Sequence, residues 1–120
     1  MSTLNLRARI AQVLEPMRAG RGQGVDPLAD LDRSVADPRD RALARAMLYA
    51  CLRGIYRYER WLDVLRERPL PRAARVVDAV LLLALASLDQ GIDAEHAIVS
   101  GSVDAIRQLR QPGFAGLGNA

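Results

Sequence analysis

The sequence contains no lysine; all 17 of its Lys-or-Arg positions are arginine. Arginine is the better bidentate partner for phosphate and stacks on flat rings, which favours a nucleic-acid partner. A compositional bias that replaces lysine everywhere has the same signature. The net charge of +3 is modest, so the placement of the arginines decides more than their number. There is one cysteine, Cys51, inside a helical pattern. A single cysteine excludes a disulfide framework and a cysteine zinc site, and it fits a reducing cytoplasm. The one histidine, His96, lies far from Cys51 and has no partner that the sequence suggests, so a Cys–His nucleophile is not expected. The acidic residues form no HExxH or DxDxDG spacing, and no serine lies in a nucleophile-elbow pattern. Neither a metal site nor a catalytic group is therefore expected. The glycine-rich stretch Ala19–Val25 has no GxxxxGK[ST] pattern and follows no strand, so it reads as a connector. The N-terminus lacks a signal-peptide layout. The longest apolar stretch, Val76–Leu88, is broken by Asp78 and too short to span a bilayer. These absences point to a cytoplasmic protein with no membrane partner.

What is present is a chain of 120 residues, half of them hydrophobic and 26% charged, which is the balance of a folded globular domain. A single domain over 1–120 is expected, burying roughly two thirds of its unfolded surface. With few aromatics, Leu, Ala, Val and Ile must fill the core. No segment alternates with period two. The helical periodicity instead predicts an all-α bundle of about six helices. The first runs from about Leu4 to Met17, with Thr3 or Asn5 as cap and Pro16 kinking or ending it. Asp26-Pro27 and Asp37-Pro38 each start a further helix, the second of them reaching about Gly54. A fourth spans about Tyr58–Arg66 and stops at the two prolines around Leu70. The fifth, about Arg72–Leu88, is apolar nearly all round and belongs at the centre, with Gly91 as its C-terminal cap. The sixth spans about Ala94–Leu109, with Ile98, Val99, Val103, Ile106 and Leu109 pointing inward.

Four of the five aromatics fall between Tyr49 and Trp61, interleaved with arginines. Arg41, Arg45, Tyr49, Arg53 and Arg57 recur every four residues and form one stripe if the helix is continuous, flanked by Tyr56 and Arg60. The opposite face carries Leu43, Met47, Leu48, Cys51, Leu52 and Ile55. Arginines hold phosphates and tyrosines stack on unpaired bases. A solvated face whose tyrosines cover the core edge fits the same pattern. Within "RGIYRYERW", Ile55, Trp61 and Leu62 read as core-side, while Arg53, Tyr56, Arg57 and Arg60 read as surface.

The segment Asp40–Leu70 is similar to the NusB-like domain of Sun/Fmu/RsmB-type small-subunit rRNA cytosine-5 methyltransferases. The matching positions are Asp40, Arg41, Ala42, Leu43, Leu52, Arg53, Trp61, Leu62, Arg68 and Pro69. The long helix "VVDAVLLLALASLDQG" follows as in that family. Then "IDAEHAIVSGSVDAIRQ" resembles the family's "IPxHAAxxETVExA", matching at Ile92, His96, Ala97, Val103 and Asp104. "FAGLGNA" looks like the start of its G-x-x-N-[AG]-V-L-R segment. The likeness extends from "NLRARIAQVLEPM" onward. Two departures stand out: Ala94 replaces the family's proline, and Gly101 replaces a glutamate.

The resemblance implies a NusB-like antitermination-factor bundle whose final helix is cut short. It also implies an RNA-binding module that helps hold 16S rRNA while a methyltransferase domain, absent from this chain, transfers methyl from S-adenosylmethionine to cytosine C5. The nucleophilic cysteine would lie in that domain, which would be the module's intramolecular partner; Cys51 matches no catalytic position. The phosphate candidates are Arg41, Arg45, Arg53, Arg57 and Arg60, joined by Arg7 and Arg9 because the related NusB holds RNA with an arginine-rich start. Tyr49 and Tyr56 are the stacking candidates. A freestanding NusB-type antitermination factor that binds RNA and a ribosomal protein is the alternative, and a protein–protein interaction domain the second. A bundle lacking its last helix is expected to leave an apolar groove exposed, or filled by crystal or dimer contacts, and to be poorly ordered after Gln111.

Overall fold

The computed structural model describes residues 5–20, 26–66 and 75–110. They form six helices and no strand: α1 (Leu6–Arg18), α2 (Pro27–Ser34), α3 (Pro38–Arg53), α4 (Ile55–Leu65), α5 (Arg75–Gln90) and α6 (Glu95–Arg110). The helix starts follow the cap chemistry. Asn5 Oδ1 accepts from the backbone N–H of Arg7 at 2.7 Å and of Ala8 at 3.3 Å. Its amide also donates to the Gly101 carbonyl at 3.1 Å, which ties the start of α1 to α6. Asp26 and Asp37 each accept from N–H groups in the first turn, with proline at the first helical position. Pro16 neither ends nor visibly breaks α1, which runs on to Arg18. So near the C-terminus, the missing N–H deprives one carbonyl alone of its intrahelical partner.

α5 lies at the centre. It packs against α1, α3, α4 and α6, and α1 also contacts α2, α3 and α6. That position accounts for a helix apolar on several sides: Ala79, Val80, Leu82, Leu83 and Ala86 are all buried. α5 closes at Gly91, whose φ of 68° lets the Ile92 N–H reach the Ser87 carbonyl at 2.9 Å. The apolar face expected for α3 is seen: Met47, Leu48 and Cys51 are buried, with Leu43, Leu52 and Ile55 packed on the same core. Burial pushes the Cys51 thiol up to about 12, so it stays protonated at neutral pH.

Three further expectations change. α4 begins at Ile55, three residues early, leaving Gly54 as the sole residue between α3 and α4. Trp61 is not a core residue but stands 39% exposed at the core edge; Tyr58 takes the interior place, fully buried, with its ring edge-on to Trp61 at 5.5 Å. On α6 the buried line is Ile98, Ser102, Ala105 and Leu109, with Ile106 packed beside it, whereas Val99 and Val103 are 56% and 42% exposed. These two valines lie one residue past the buried positions, which turns them about 100° outward. The "RPLPR" stop and the expected disorder after Gln111 lie outside the described residues.

Candidate nucleic-acid interface

The helical wheel places Arg41, Arg45, Tyr49 and Arg53 along one edge of α3. Arg57 cannot continue that line directly, because α3 ends at Arg53 and α4 starts a new axis at Ile55. The residue at the break has no room for a side chain. A Cβ on Gly54 would lie 2.7 Å from Tyr58 Cε2, so the buried Tyr58 ring occupies the space a side chain would need. α4 then turns Tyr56, Arg57, Arg60 and Trp61 outward, with Tyr56 85% exposed. Val64 and Leu65 extend the same exposed half of α4. The surface therefore has two segments meeting at Gly54. Arg45, Tyr49 and Arg53 are exposed on one, and Tyr56, Arg57 and Arg60 on the other.

Most of these arginines are already held. Arg41 is half-buried and donates through Nη1 to the Val35 and Ala36 carbonyls, at 3.1 and 2.9 Å, so it fixes the α2–α3 link. Arg45 forks onto Asp32 of α2: Nε donates to Oδ1 at 3.1 Å, and Nη2 contacts Oδ2. Arg53 Nη2 donates to Gln90 Oε1 at 3.1 Å. Arg57 Nη2 donates to Asp89 Oδ2 at 2.6 Å and to the Tyr58 hydroxyl at 3.3 Å. The Arg57 guanidinium also lies 5.1 Å from the Tyr58 ring centre and 5.5 Å from that of Trp61. Asp89 accepts from the Tyr58 hydroxyl at 2.7 Å, and Gln90 Nε2 donates to that hydroxyl and to the Ala50 carbonyl, both at 2.8 Å. The end of α5 thereby knots α3 to α4 at their bend. The Tyr58 hydroxyl, and after it Arg57, hold the Asp89 carboxyl below the ordinary carboxylate range; the hydrogen bond from Arg45 does the same for Asp32.

Two candidates stand away from this surface. Arg7 is 4% exposed and lies inside the packing of α1, α5 and α6. Its Nη2 donates to Ser87 Oγ at 3.2 Å, Nη1 has no partner among the described residues, and burial lowers its pKa from the ordinary arginine value. As a phosphate contact Arg7 is therefore corrected to a core residue. Its stem rests on Gly101, where an added Cβ would sit 3.5 Å from Arg7 Cδ. Arg9 is half-buried on α1, not on the α3–α4 edge.

Tyr58 was legible in principle: Ile55, Tyr58 and Leu62 share one helical face. Nothing local in the sequence pairs Asp89 or Gln90 with residues 31 to 40 positions away. A polar recess of about 270 Å³ lies among α1, α4 and α5. Ion pairs of both signs cross it: Arg18 forks onto Glu59 at 3.0 Å, and Arg66 contacts Asp78. It reads as a structural junction. Among the described residues no group of three His, Cys, Asp or Glu is placed to hold a metal ion, and no helix is long and apolar enough to cross a membrane.

Residues 4–120 match the model of the NusB family. The chain is also similar to proteins named ribosomal RNA small subunit methyltransferase B. The one from Xanthomonas campestris pv. campestris is 42% identical over 86 residues, covering 72% of this chain and 20% of that protein. That from Vibrio vulnificus is 31% identical over 117 residues, 98% of this chain and 27% of the relative. That from Xylella fastidiosa is 37% identical over 87 residues, 72% of this chain and 21% of the relative. The chain thus spans about a fifth to a quarter of the length of these relatives. No solved structure matches it.

Proposed function

The chain belongs to the NusB family, and from that membership we propose that it is the RNA-binding module of a small-subunit rRNA methyltransferase. The methyltransferase name of its relatives supports this over a freestanding antitermination factor. In this reading the module works in the cytoplasm and holds 16S rRNA by its backbone and by unpaired bases. A methyltransferase domain of the same polypeptide binds S-adenosylmethionine and methylates cytosine C5. The module itself contributes positioning and no bond-making group, in keeping with the protonated, buried Cys51 thiol.

The observation that carries the reading is the α3–α4 edge. Arg45, Arg53, Arg57 and Arg60 are exposed there beside Tyr49 and Tyr56. The arginines supply phosphate donors and the rings supply stacking surface, the two parts that recognition of single-stranded RNA needs. Trp61, the chain's single tryptophan, stands at the same edge and gives an intrinsic fluorescence reporter. Titration with a single-stranded RNA of mixed sequence should change Trp61 emission. Replacing Arg53 and Arg60 together by alanine should weaken binding and reduce the salt slope by roughly one counterion per lost phosphate contact. An unchanged affinity and slope in that variant would remove this edge from the RNA reading.

A further inference from the structure

The two ion pairs that hold the edge share a feature that helix physics does not favour. Asp32 lies in the last turn of α2 and Asp89 in the last turn of α5, whose final turn has no basic residue. A carboxylate there faces the negative end of the helix dipole. Such a local conflict persists where a partner elsewhere offsets it, and conflicts of this kind gather at functional surfaces. The partners here are the two arginines of the proposed RNA edge: Asp32 takes Arg45 through its Nε and Nη2, and Asp89 takes Arg57 Nη2 at 2.6 Å. Both pairs are solvent-accessible, the Arg45 and Arg57 side chains being 47% and 54% exposed. The donors that a carboxylate takes from a guanidinium are the donors a phosphate takes. Exposed pairs are weak, so a phosphate competes for them on nearly even terms.

We propose that Asp32 and Asp89 are internal stand-ins for RNA phosphate, holding Arg45 and Arg57 in the free protein and giving them up when RNA arrives. The two carboxylates thereby cap the affinity of the edge for any polyanion. A module of this kind binds the RNA that engages its whole surface and releases RNA that meets only a few arginines. The inference rests on the RNA-binding reading of the edge and adds the residues that set its strength. Arg60, exposed and without an ion pair among the described residues, is the arginine free to make first contact.

The test is fluorescence anisotropy with a labelled single-stranded RNA of mixed sequence, across a salt series. The proteins compared are the wild type, the double variant Asp32→Asn/Asp89→Asn, the single variant Asp104→Asn and the double variant Arg45→Ala/Arg57→Ala. Asparagine at 89 keeps an oxygen for the Tyr58 hydroxyl, and helical circular dichroism verifies the fold of each variant. Asp104→Asn makes a one-charge change on α6, away from the edge, and calibrates the effect of charge alone. Asp32→Asn/Asp89→Asn should bind roughly two- to tenfold tighter at low salt, beyond twice the logarithmic effect of Asp104→Asn, with a steeper salt slope. Tightening no greater than that charge-only value, or weaker binding, with Arg45→Ala/Arg57→Ala still impaired, would overturn the stand-in role and leave the RNA edge intact. If Arg45→Ala/Arg57→Ala also binds as wild type does, both the stand-in role and these arginines' part in the RNA edge fall together.

Discussion

Two glycines in this chain have opposite consequences. At Gly54 a methyl group would meet Tyr58 Cε2 at 2.7 Å and Cζ at 2.9 Å, and the ring is fully buried, so it has no free direction in which to yield. At Gly101 a methyl group would meet Arg7 Cδ and Nε at 3.5 Å, an ordinary contact, in the middle of α6. Gly54→Ala should therefore destabilise the domain by about 1–3 kcal/mol, the usual range for overpacking. Gly101→Ala should stabilise it by up to about 1 kcal/mol, the helix-propensity gain. Urea midpoints of the two variants check both signs; a tolerated Gly54→Ala would mean that the α3–α4 bend does not depend on the Tyr58 ring. The sequence pointed to Gly54 as the end of a helix and to Gly101 as a departure from the family it resembles. It did not distinguish their packing, because that depends on Tyr58 and Arg7, which reach each glycine only in the fold.

At the scale of elements, the end of α5 and the α3–α4 bend act as one unit through Asp89, Gln90, Tyr58, Arg53 and Arg57. The links are partly ionic, which makes them pH-dependent. Asp89 and Asp32 titrate below the ordinary range in the folded chain, so the fold binds their protons less readily than the unfolded chain does. Their contribution is complete above the ordinary aspartate value of about 3.9 and is lost as pH falls through the lower folded values. Both carboxylates are accessible to solvent, so the effect is small. Asp89→Asn should lose less stability than wild type between neutral pH and about pH 3. Chemical denaturation at the two pH values measures this, and an equal loss would show that the Asp89 contacts are not formed in solution. The helices themselves were legible, because caps at Asn5, Asp26 and Asp37 and the apolar period of α3 are local signals. The outward turn of Val99, Val103 and Trp61 was not. Each is an apolar residue beside the buried line of its helix, and only the neighbouring helices define where that line runs.

At the scale of the molecule, α5 supplies the common core, and α3 with α4 presents the edge to which the RNA reading is assigned. Reading the arginines and tyrosines as a stripe located that edge, while Arg7 went from candidate contact to core residue because its neighbours Ser87 and Gly101 are remote in sequence. A second exposed surface, Val99, Val103 and Arg107 on α6, is the competing place for a partner. An amide-resolved NMR titration with single-stranded RNA of mixed sequence separates the two. Chemical-shift changes are expected to cluster along Arg45–Trp61, on both sides of Gly54, and to leave α6 near its free values. Changes concentrated on Val99–Arg110, or none at RNA concentrations that saturate the anisotropy signal, would contradict the assignment of RNA binding to the α3–α4 edge.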